Sequence, residues 1–368
     1  MKHLFVDISS HGLGHLAQTA PILNALAARR PLRLTVRSGL TQAQLAGRIQ
    51  IPFAHIHAAS DFGFVMHDAI NVDLEASAAR YRSAYADWSE SVEQEARLLK
   101  KLGLDLVVSN VSPLPLAGAA AAGIPALAMS SLNWDDLFCH YYGTQAWAAP
   151  IHAAMHAAYA GARRFLRLSP GMPMSSLDNV TVIGPVAGYT QGERMPTRAD
   201  VADRLGLPLD KRWLLIAMGG IAHRLPIEDW PELPGFQLLV PAAWQVQARN
   251  DISVYSEAVL PFAELFPTVD VVLCKPGYGT FVEAACCGIP VLYLPRPDWP
   301  EADFLTQWLE HNGRAEKLAP QAGIDGRLAT PLAKLLARPV PPRPRADGIA
   351  DALRLINEQL DEGDSISA

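Results

Sequence analysis

The chain has 368 residues, half of them hydrophobic, with a net charge of −6 and acidic and basic residues interspersed. That length suits two domains with a core each, and the lack of a basic stripe argues against a nucleic-acid partner. Four cysteines (Cys139, Cys274, Cys286, Cys287) show no metal spacing and fit a reducing cytoplasm, the opening MKHLFVDISS reads as a strand rather than a leader, and no run reaches the ~18 apolar residues of a membrane span.

Taken in chain order, strands and helices alternate. HLFVDIS (3–9) reads as a strand and HLAQTAPILNALAAR (15–29) as an amphipathic helix. LRLTVRS (32–38) is a strand, TQAQLAGRI (41–49) a helix, and 76–102 one long helix. LDLVVSN (104–110) and PALAMSS (125–131) are strands around a helix that opens on prolines at 113 and 115. Residues 133–190 break the rhythm, with aromatics, a helix near 146–165, and Pro- and Gly-rich chain that places a linker near 184–197. A second run starts at RWLLIAMGG (212–220) and continues through FQLLVPA (236–242), ISVYS (252–256), VDVVLCKPGYGT (269–280), IPVLYLP (289–295) and RAEKL (314–318). Continuous apolar strands alternating with helices mean parallel sheets covered on both faces. The expectation is an α/β protein of two Rossmann-like domains, 1–185 and 186–345, facing across a cleft. A crossover helix, 346–360, packs back on the first domain, and 361–368 is a frayed tail.

Ligands of open parallel sheets sit at the carboxyl ends of strands, and every candidate residue falls at such an end. After the strand at 271–274, Lys275 and the glycines 277 and 279 precede a helix. Bare backbone N–H groups at a helix start make an anion site, and Lys275 adds charge. The same glycines also suit a plain strand-to-helix turn. Glu283, one turn beyond Thr280 among apolar neighbours, is placed to grip ribose hydroxyls or to sit as a surface carboxylate. Asp298, Glu301 and Asp303 lie in a loop with Trp299, a set that suits either a sugar or plain solvation. Gly219 and Gly220 allow backbone amides to approach a second anion oxygen, and Ala242, Ala243 and Trp244 offer a surface for an aromatic base.

In DISSHGLGHLAQ, His11 and His15 flank a glycine turn between the first strand and helix. Histidine suits proton transfer near neutrality, and it also serves as a cap or surface residue. Asp135 and Asp136 are adjacent and point in different directions, which fits structural or hydroxyl-binding roles better than a metal pair. Glycines at 12 and 14 with Ala17 in third place do not complete a dinucleotide fingerprint.

Together these pieces resemble the GT-B glycosyltransferases. HGLGH resembles their first turn, and KPGYGTFVEAACCGIPVLYLP is similar to the nucleotide-sugar signature of the GlcNAc transferase that makes lipid II. HGLGH, DFGFVMHDAINVD, DLVVSNVSP, SLNWDDLF, FLRLSPGMPM, KPGYGTFVEA and ADFLTQWLEHNGRAE resemble, in order over about 5–316, the glycosyltransferase-like N-terminal domain of L-arabinokinase-type proteins. The kinase domain of those proteins has no counterpart here.

The resemblance implies an acceptor site in the first domain and a nucleotide sugar, UDP-linked, in the second, with no metal required. It implies His15 as general base, Gly277, Tyr278, Gly279 and Thr280 on the phosphates, Glu283 on the ribose and the 298–303 loop on the sugar. One departure stands out. Several plant members orient the histidine with an Asp where this chain has Asn110, and an amide cannot hold an imidazolium with full charge. By sequence, His11 and Asp7 are the nearest substitutes. The expected function is therefore a cytoplasmic, metal-independent, inverting glycosyltransferase. Its acceptor is an unidentified hydroxyl compound, whether small molecule, glycan or lipid-linked. The alternatives are a nucleotide-sugar-binding or regulatory module with little transfer activity, and a sugar-nucleotide epimerase or hydrolase.

Overall fold

A computed structural model describes residues 1–188, 196–221 and 223–365. It contains two compact units. One comprises Met1–His67, Val72–Val186 and Ala346–Ala368, the other Asp68–Asn71 and Ala187–Arg345.

The first unit holds strands β1 (Lys2–Ile8), β2 (Leu32–Ser38), β3 (Ala54–His57), β4 (Leu106–Asn110), β5 (Ala126–Ser130), β6 (Arg164–Leu168) and β7 (Val180–Ile183). They form one parallel sheet in the order β3-β2-β1-β4-β5-β6-β7. Its helices are α1 (Gly14–Ala27), α2 (Gln42–Ala46), α3 (Leu74–Ala84), α4 (Trp88–Leu102), α5 (Pro113–Ala122), α6 (Trp134–Tyr142) and α7 (Ala149–Ala160). Every residue of β4 and β5 is buried, because helices cover the sheet on both faces.

The second unit runs α8 (Arg198–Leu205), β8 (Arg212–Ala217), β9 (Phe236–Pro241), β10 (Ile252–Tyr255), α9 (Phe262–Leu265), β11 (Val271–Cys274), α10 (Tyr278–Cys287), β12 (Val291–Tyr293), α11 (Glu301–Asn312), β13 (Ala315–Lys317), α12 (Pro320–Asp325) and α13 (Ala329–Ala337). Its sheet is also parallel, in the order β10-β9-β8-β11-β12-β13. Leu214, Ile216, Leu238, Val240, Leu273 and Leu292 anchor its core.

The last helix, α14 (Gly348–Ser365), belongs to the first unit and packs on α1. Arg30, just past α1, donates to Asn357 and Asp361 at 2.9 Å each. The entry to α14 needs glycine, since a Cβ on Gly348 would lie 2.0 Å from the Gly184 carbonyl oxygen. The helix extends to Ser365, beyond the 360 expected from sequence, and 366–368 lie outside the described residues, as does the 189–195 part of the expected linker.

Other expectations need correction. The single helix over 76–102 is two, α3 and α4, separated at 85–87 with Asp87 as the cap of α4. No Gly or Pro marks the break. Tyr85 and Trp88 stack across it with ring centroids 4.5 Å apart. Residues 133–190 hold more than irregular chain, since α6, α7, β6 and β7 complete the first sheet there. The helix expected to 165 stops at Ala160, and Gly161 hands over to β6. Among the described residues, no helix is long and apolar enough to cross a membrane.

Candidate functional sites at two strand-order reversals

In both sheets the chain order reverses beside the first strand, and loops diverge there to leave room for a ligand. The first reversal lies between β1 and β4, where Ile8 pairs with Asn110. The second lies between β8 and β11, where Ala217 pairs with Cys274.

At the first reversal, β1 turns through Gly12, at φ +82°, into α1, which places His15 in the first turn of the helix, 5% exposed. Asn110 Oδ1 accepts a hydrogen bond from His15 Nδ1 at 2.8 Å. The Asn110 amide nitrogen faces three acceptors, Gln18 Oε1 at 3.0 Å, Thr19 Oγ1 at 2.9 Å and, more distantly, the His15 carbonyl at 3.4 Å. Thr19 in turn donates to the His15 carbonyl, and Gln18 donates to Ser131. These partners fix which end of the amide is oxygen and so fix the ring tautomer. The proton sits on Nδ1 and the lone pair on Nε2. Burial lowers the His15 pKa to about 4, with Asn110 opposing part of the shift. The ring is therefore neutral at physiological pH.

Beside His15 stands Trp134, buried at the start of α6, with ring centroids 5.6 Å apart and a steep edge contact. His11 meets the same indole at 5.3 Å. Gly63 makes this packing possible. Its φ is +58°, and a Cβ there would lie 2.8 Å from both the His11 ring and the Trp134 ring. The indole N–H of Trp134 donates to Asp61 Oδ2 at 2.6 Å, and Ser9 donates to Asp61 Oδ1 at 2.9 Å. Burial and the charge of Asp7 push the Asp61 carboxyl up to about 7, against the pull of those two hydrogen bonds. Asp7 itself is engaged elsewhere. It accepts from Arg37 at 2.5 Å and Ser60 at 2.6 Å, while Arg37 forks onto Glu95 at 2.7 and 2.8 Å. Three carboxylates and one guanidinium leave a surplus of negative charge, which a proton on Asp61 relieves. Asp61 and Trp134 also line a cavity of about 80 Å³ with Phe62, Tyr81, Tyr85 and Trp88.

At the second reversal, β11 runs through Lys275 and Gly277 into α10. Gly277 is the N-cap, so no side-chain cap covers the first N–H groups of this ten-residue helix. Gly219, beyond β8, takes φ +87°, and a Cβ there would lie 3.6 Å from Lys275 Cε and 3.8 Å from Nζ. Lys275 and the glycine backbone thus share one corner. Burial and the nearby Arg296 lower the Lys275 pKa to about 8. Arg296, at the far end of β12, is 5% exposed and lies 3.9 Å over the Trp299 ring.

Of the residues expected from sequence, His15 and Asn110 are in direct contact and His11 joins them through Trp134. Gly219 and Lys275 come together, with Gly220 next in chain, and Tyr278, Gly279 and Thr280 form the first turn of α10. Glu283 follows on that helix, turned inward and buried. The acidic loop is partly helix, since Glu301 and Asp303 sit in the first turn of α11. Glu301 is buried and accepts from the Trp299 indole at 3.2 Å, whereas Asp298 and Asp303 are exposed. Ala243 and Trp244 form a short turn after β9, with Trp244 against the core of the second unit. Asp135 is buried between His152 and His156 of α7, at 3.3 and 3.2 Å, while Asp136 meets the α6 cap, Asn133. Among the described residues, no group of three His, Cys, Asp or Glu side chains is arranged to hold a metal. Sequence reasoning gave no role to Asp61, Trp134 or Arg296, although the adjacent acid–aromatic pairs Asp61–Phe62 and Trp134–Asp135 were an available signal for the first two.

No protein-family profile matches the chain. It is 27% identical over 320 residues to L-arabinokinase of Arabidopsis thaliana, covering 84% of this chain and 30% of that protein. It is 23% identical over 282 residues to an uncharacterized glycosyltransferase of Methanopyrus kandleri, covering 73% of this chain and 80% of the other. The solved calicheamicin glycosyltransferase CalG4 aligns over 98% of both chains with a TM-score of 0.64 at 16% identity. The kitacinnamycin glycotransferase aligns over 99% of this chain and 98% of its own, with a TM-score of 0.61 at 16% identity. UGT2 of Phytolacca americana, solved with UDP-2fluoro-glucose and pterostilbene, aligns over 99% of this chain and 95% of its own, at 0.56 and 14%. These likenesses show the GT-B fold, and the two curated relatives are distant.

Proposed function

We propose that this chain moves a sugar from a nucleotide diphosphate, UDP-linked, to a hydroxyl acceptor, with inversion and without a metal. The observation that carries the reading is the pairing of chemistries at the two reversals. One holds a neutral histidine with its lone pair on a defined nitrogen. The other holds a half-buried ammonium beside a glycine corner and an uncapped helix start. A base and an anion cradle are what displacement of a diphosphate by an alcohol requires.

In this reading the N–H groups of Gly277, Tyr278, Gly279 and Thr280, with Lys275, Gly219 and Gly220, take the diphosphate and the charge that grows on it as the glycosidic bond breaks. Ala243 and Trp244 face the base, and Glu283 takes the ribose. Asp298, Trp299, Glu301 and Asp303 orient the sugar. His15 Nε2 receives the acceptor proton as oxygen attacks the anomeric carbon in line with the leaving phosphate.

A second reading, a nucleotide-sugar-binding module with little turnover, is favoured by one observation. Asn110 gives an imidazolium no countercharge, and the His15 pKa is about 4.

Thermal shifts with UDP, GDP, dTDP and CMP, with and without EDTA, test the donor site. A ligand at 100 times its dissociation constant adds about 2.7 kcal/mol of stability. A UDP-selective shift that EDTA does not change is expected, and no shift with any nucleotide would overturn the donor reading. Binding with no transfer to any hydroxyl acceptor would select the second reading.

A further inference from the structure

The second unit includes four residues from far earlier in the chain, Asp68–Asn71, and the chemistry above gives them no role. Asp68 turns the segment on itself. Its Oδ1 accepts from the Ile70 and Asn71 backbone N–H groups at 2.6 and 2.9 Å, and its Oδ2 accepts from the Asn71 amide at 2.8 Å. Ala69 is fully buried, and Ile70 packs on the core of the second unit. The turn meets the cationic corner from two sides. His223, four residues past Gly219, brings Nδ1 to 3.8 Å from Asp68 Oδ1. On the other side, Arg296 Nε donates to the Ile70 carbonyl at 3.2 Å. Arg296 and Lys275 come from adjacent chain segments. The Leu294 N–H donates to the Cys274 carbonyl at 2.9 Å, Lys275 follows Cys274, and Arg296 lies two residues past Leu294.

We propose that Asp68–Asn71 belongs to the anion corner: Ile70 positions the Arg296 guanidinium as a second cation there, and a bound anion in turn holds the segment in place. The inference rests on the donor reading and adds to it residues that touch no nucleotide. Two features lead to it. A guanidinium is a planar fork. A bond from its inner nitrogen to a fixed carbonyl, with the Trp299 ring 3.9 Å from its carbon, therefore sets where the outer N–H groups point. Arg296 is also 5% exposed, and its charge acts on Lys275. Two like charges kept from water and close together are relieved by an anion that meets both. Linkage makes the effect mutual. Whatever the docked segment adds to anion affinity, the anion adds to docking of the segment.

The test uses the full chain and two probes, pyrophosphate and UDP, with affinity read by calorimetry. Asp68→Ala unpins the turn and Ile70→Ala removes its anchor, and each should weaken pyrophosphate binding at least about fivefold, the lower end of coupling between sites. Arg296→Gln should weaken it at least as much, and Asp68→Ala should then add nothing, because both act through one group. A turn that serves folding alone would lower the melting temperature and leave pyrophosphate affinity unchanged, or would add its effect in full to that of Arg296→Gln. Either result overturns the inference. Hydrogen exchange on the unmodified chain gives the converse and needs no variant to fold. Pyrophosphate should slow exchange at the Ile70 and Asn71 amides, and pyrophosphate bound with exchange unchanged there overturns the inference as well. UDP binding that ignores the Asp68 and Ile70 substitutions sinks this inference alone. Coupled pyrophosphate binding without UDP binding keeps the segment's role and sinks the donor reading, and binding of neither probe sinks both.

Discussion

The two strand-order reversals share a topology and differ in electrostatic preparation. At β1/β4 the ends of the strands carry a hydrogen-bonded network in which an amide sets the tautomer of a neutral histidine and a carboxyl holds its proton to about pH 7. At β8/β11 the same geometry carries Lys275 and Arg296 beside bare glycine backbone and a helix start. The two reversals are alike in topology, and the side chains at the strand ends make one a histidine–amide network and the other a cationic corner. The difference also explains where glycine is used. In the second unit Gly219 leaves open backbone beside the Lys275 side chain, whereas Gly63 in the first clears backbone for two protein rings.

The largest expected effect separates the two sites outright. His15→Ala should lower the transfer rate by about 10²–10⁴-fold, the range for a positioned general base, while UDP affinity stays unchanged. Equal losses in rate and UDP binding would mean that the division of labour is wrong.

Next is a stability signature of the first site. Folded His15 stays neutral down to about pH 4, whereas the unfolded chain protonates it near its ordinary value of 6.5. The unfolded state therefore binds more protons between those values, and stability should fall as pH drops from 6.5 to 4, by roughly 3 kcal/mol. Asp61 acts with the opposite sign. Its carboxyl is raised to about 7 from 3.8, so its unfavourable contribution grows as pH rises through that window. Melting curves from pH 4 to 8 should slope more steeply with acid in Asp61→Asn and more gently in His15→Gln. Parallel curves for the two variants would contradict the opposed environments.

The smallest effect belongs to the second site. Lys275→Ala should weaken UDP binding by about 1.5–3 kcal/mol, the worth of a hydrogen bond to a charged group, and should also slow turnover of bound donor, because the same ammonium meets the charge that grows on the leaving diphosphate. Because the Lys275 pKa is about 8, UDP affinity should fall as pH rises through 8. Lys275→Arg, charged throughout, should abolish that dependence. A flat profile in the unmodified chain would remove Lys275 from the phosphate site.

Much of the fold was legible because buried parallel strands write continuous apolar runs, as at 106–110 and 271–274. The placement of His15 and of Gly277–Thr280 was legible for a related reason. Each lies within a few residues of a strand, so the short-range pattern places it at that strand's carboxyl end. Strands β6 and β7 were hidden, since RFLRL and VTVI are short, lie near the sheet edge and keep polar or exposed positions. The break at 85–87 was hidden because no local breaker causes it. Asp61 and Trp134 were hidden for the plainest reason. They lie 73 residues apart, and no local periodicity reports on a hydrogen bond of that span.

The membership of α14 in the first unit has a consequence for biosynthesis. Residues 187–345 of the second unit leave the ribosome before α14 does. At roughly 5–20 residues per second, the stretch between α1 and α14 leaves α1 without its partner for about 16–64 seconds. The second unit then has time to fold while the first stays open along that face. Leu353, Ile356 and Leu360, buried once α14 docks, close it last. A chain halted at 345 would carry a complete second unit and an unsealed first one, exposed to chaperones and proteases at α1.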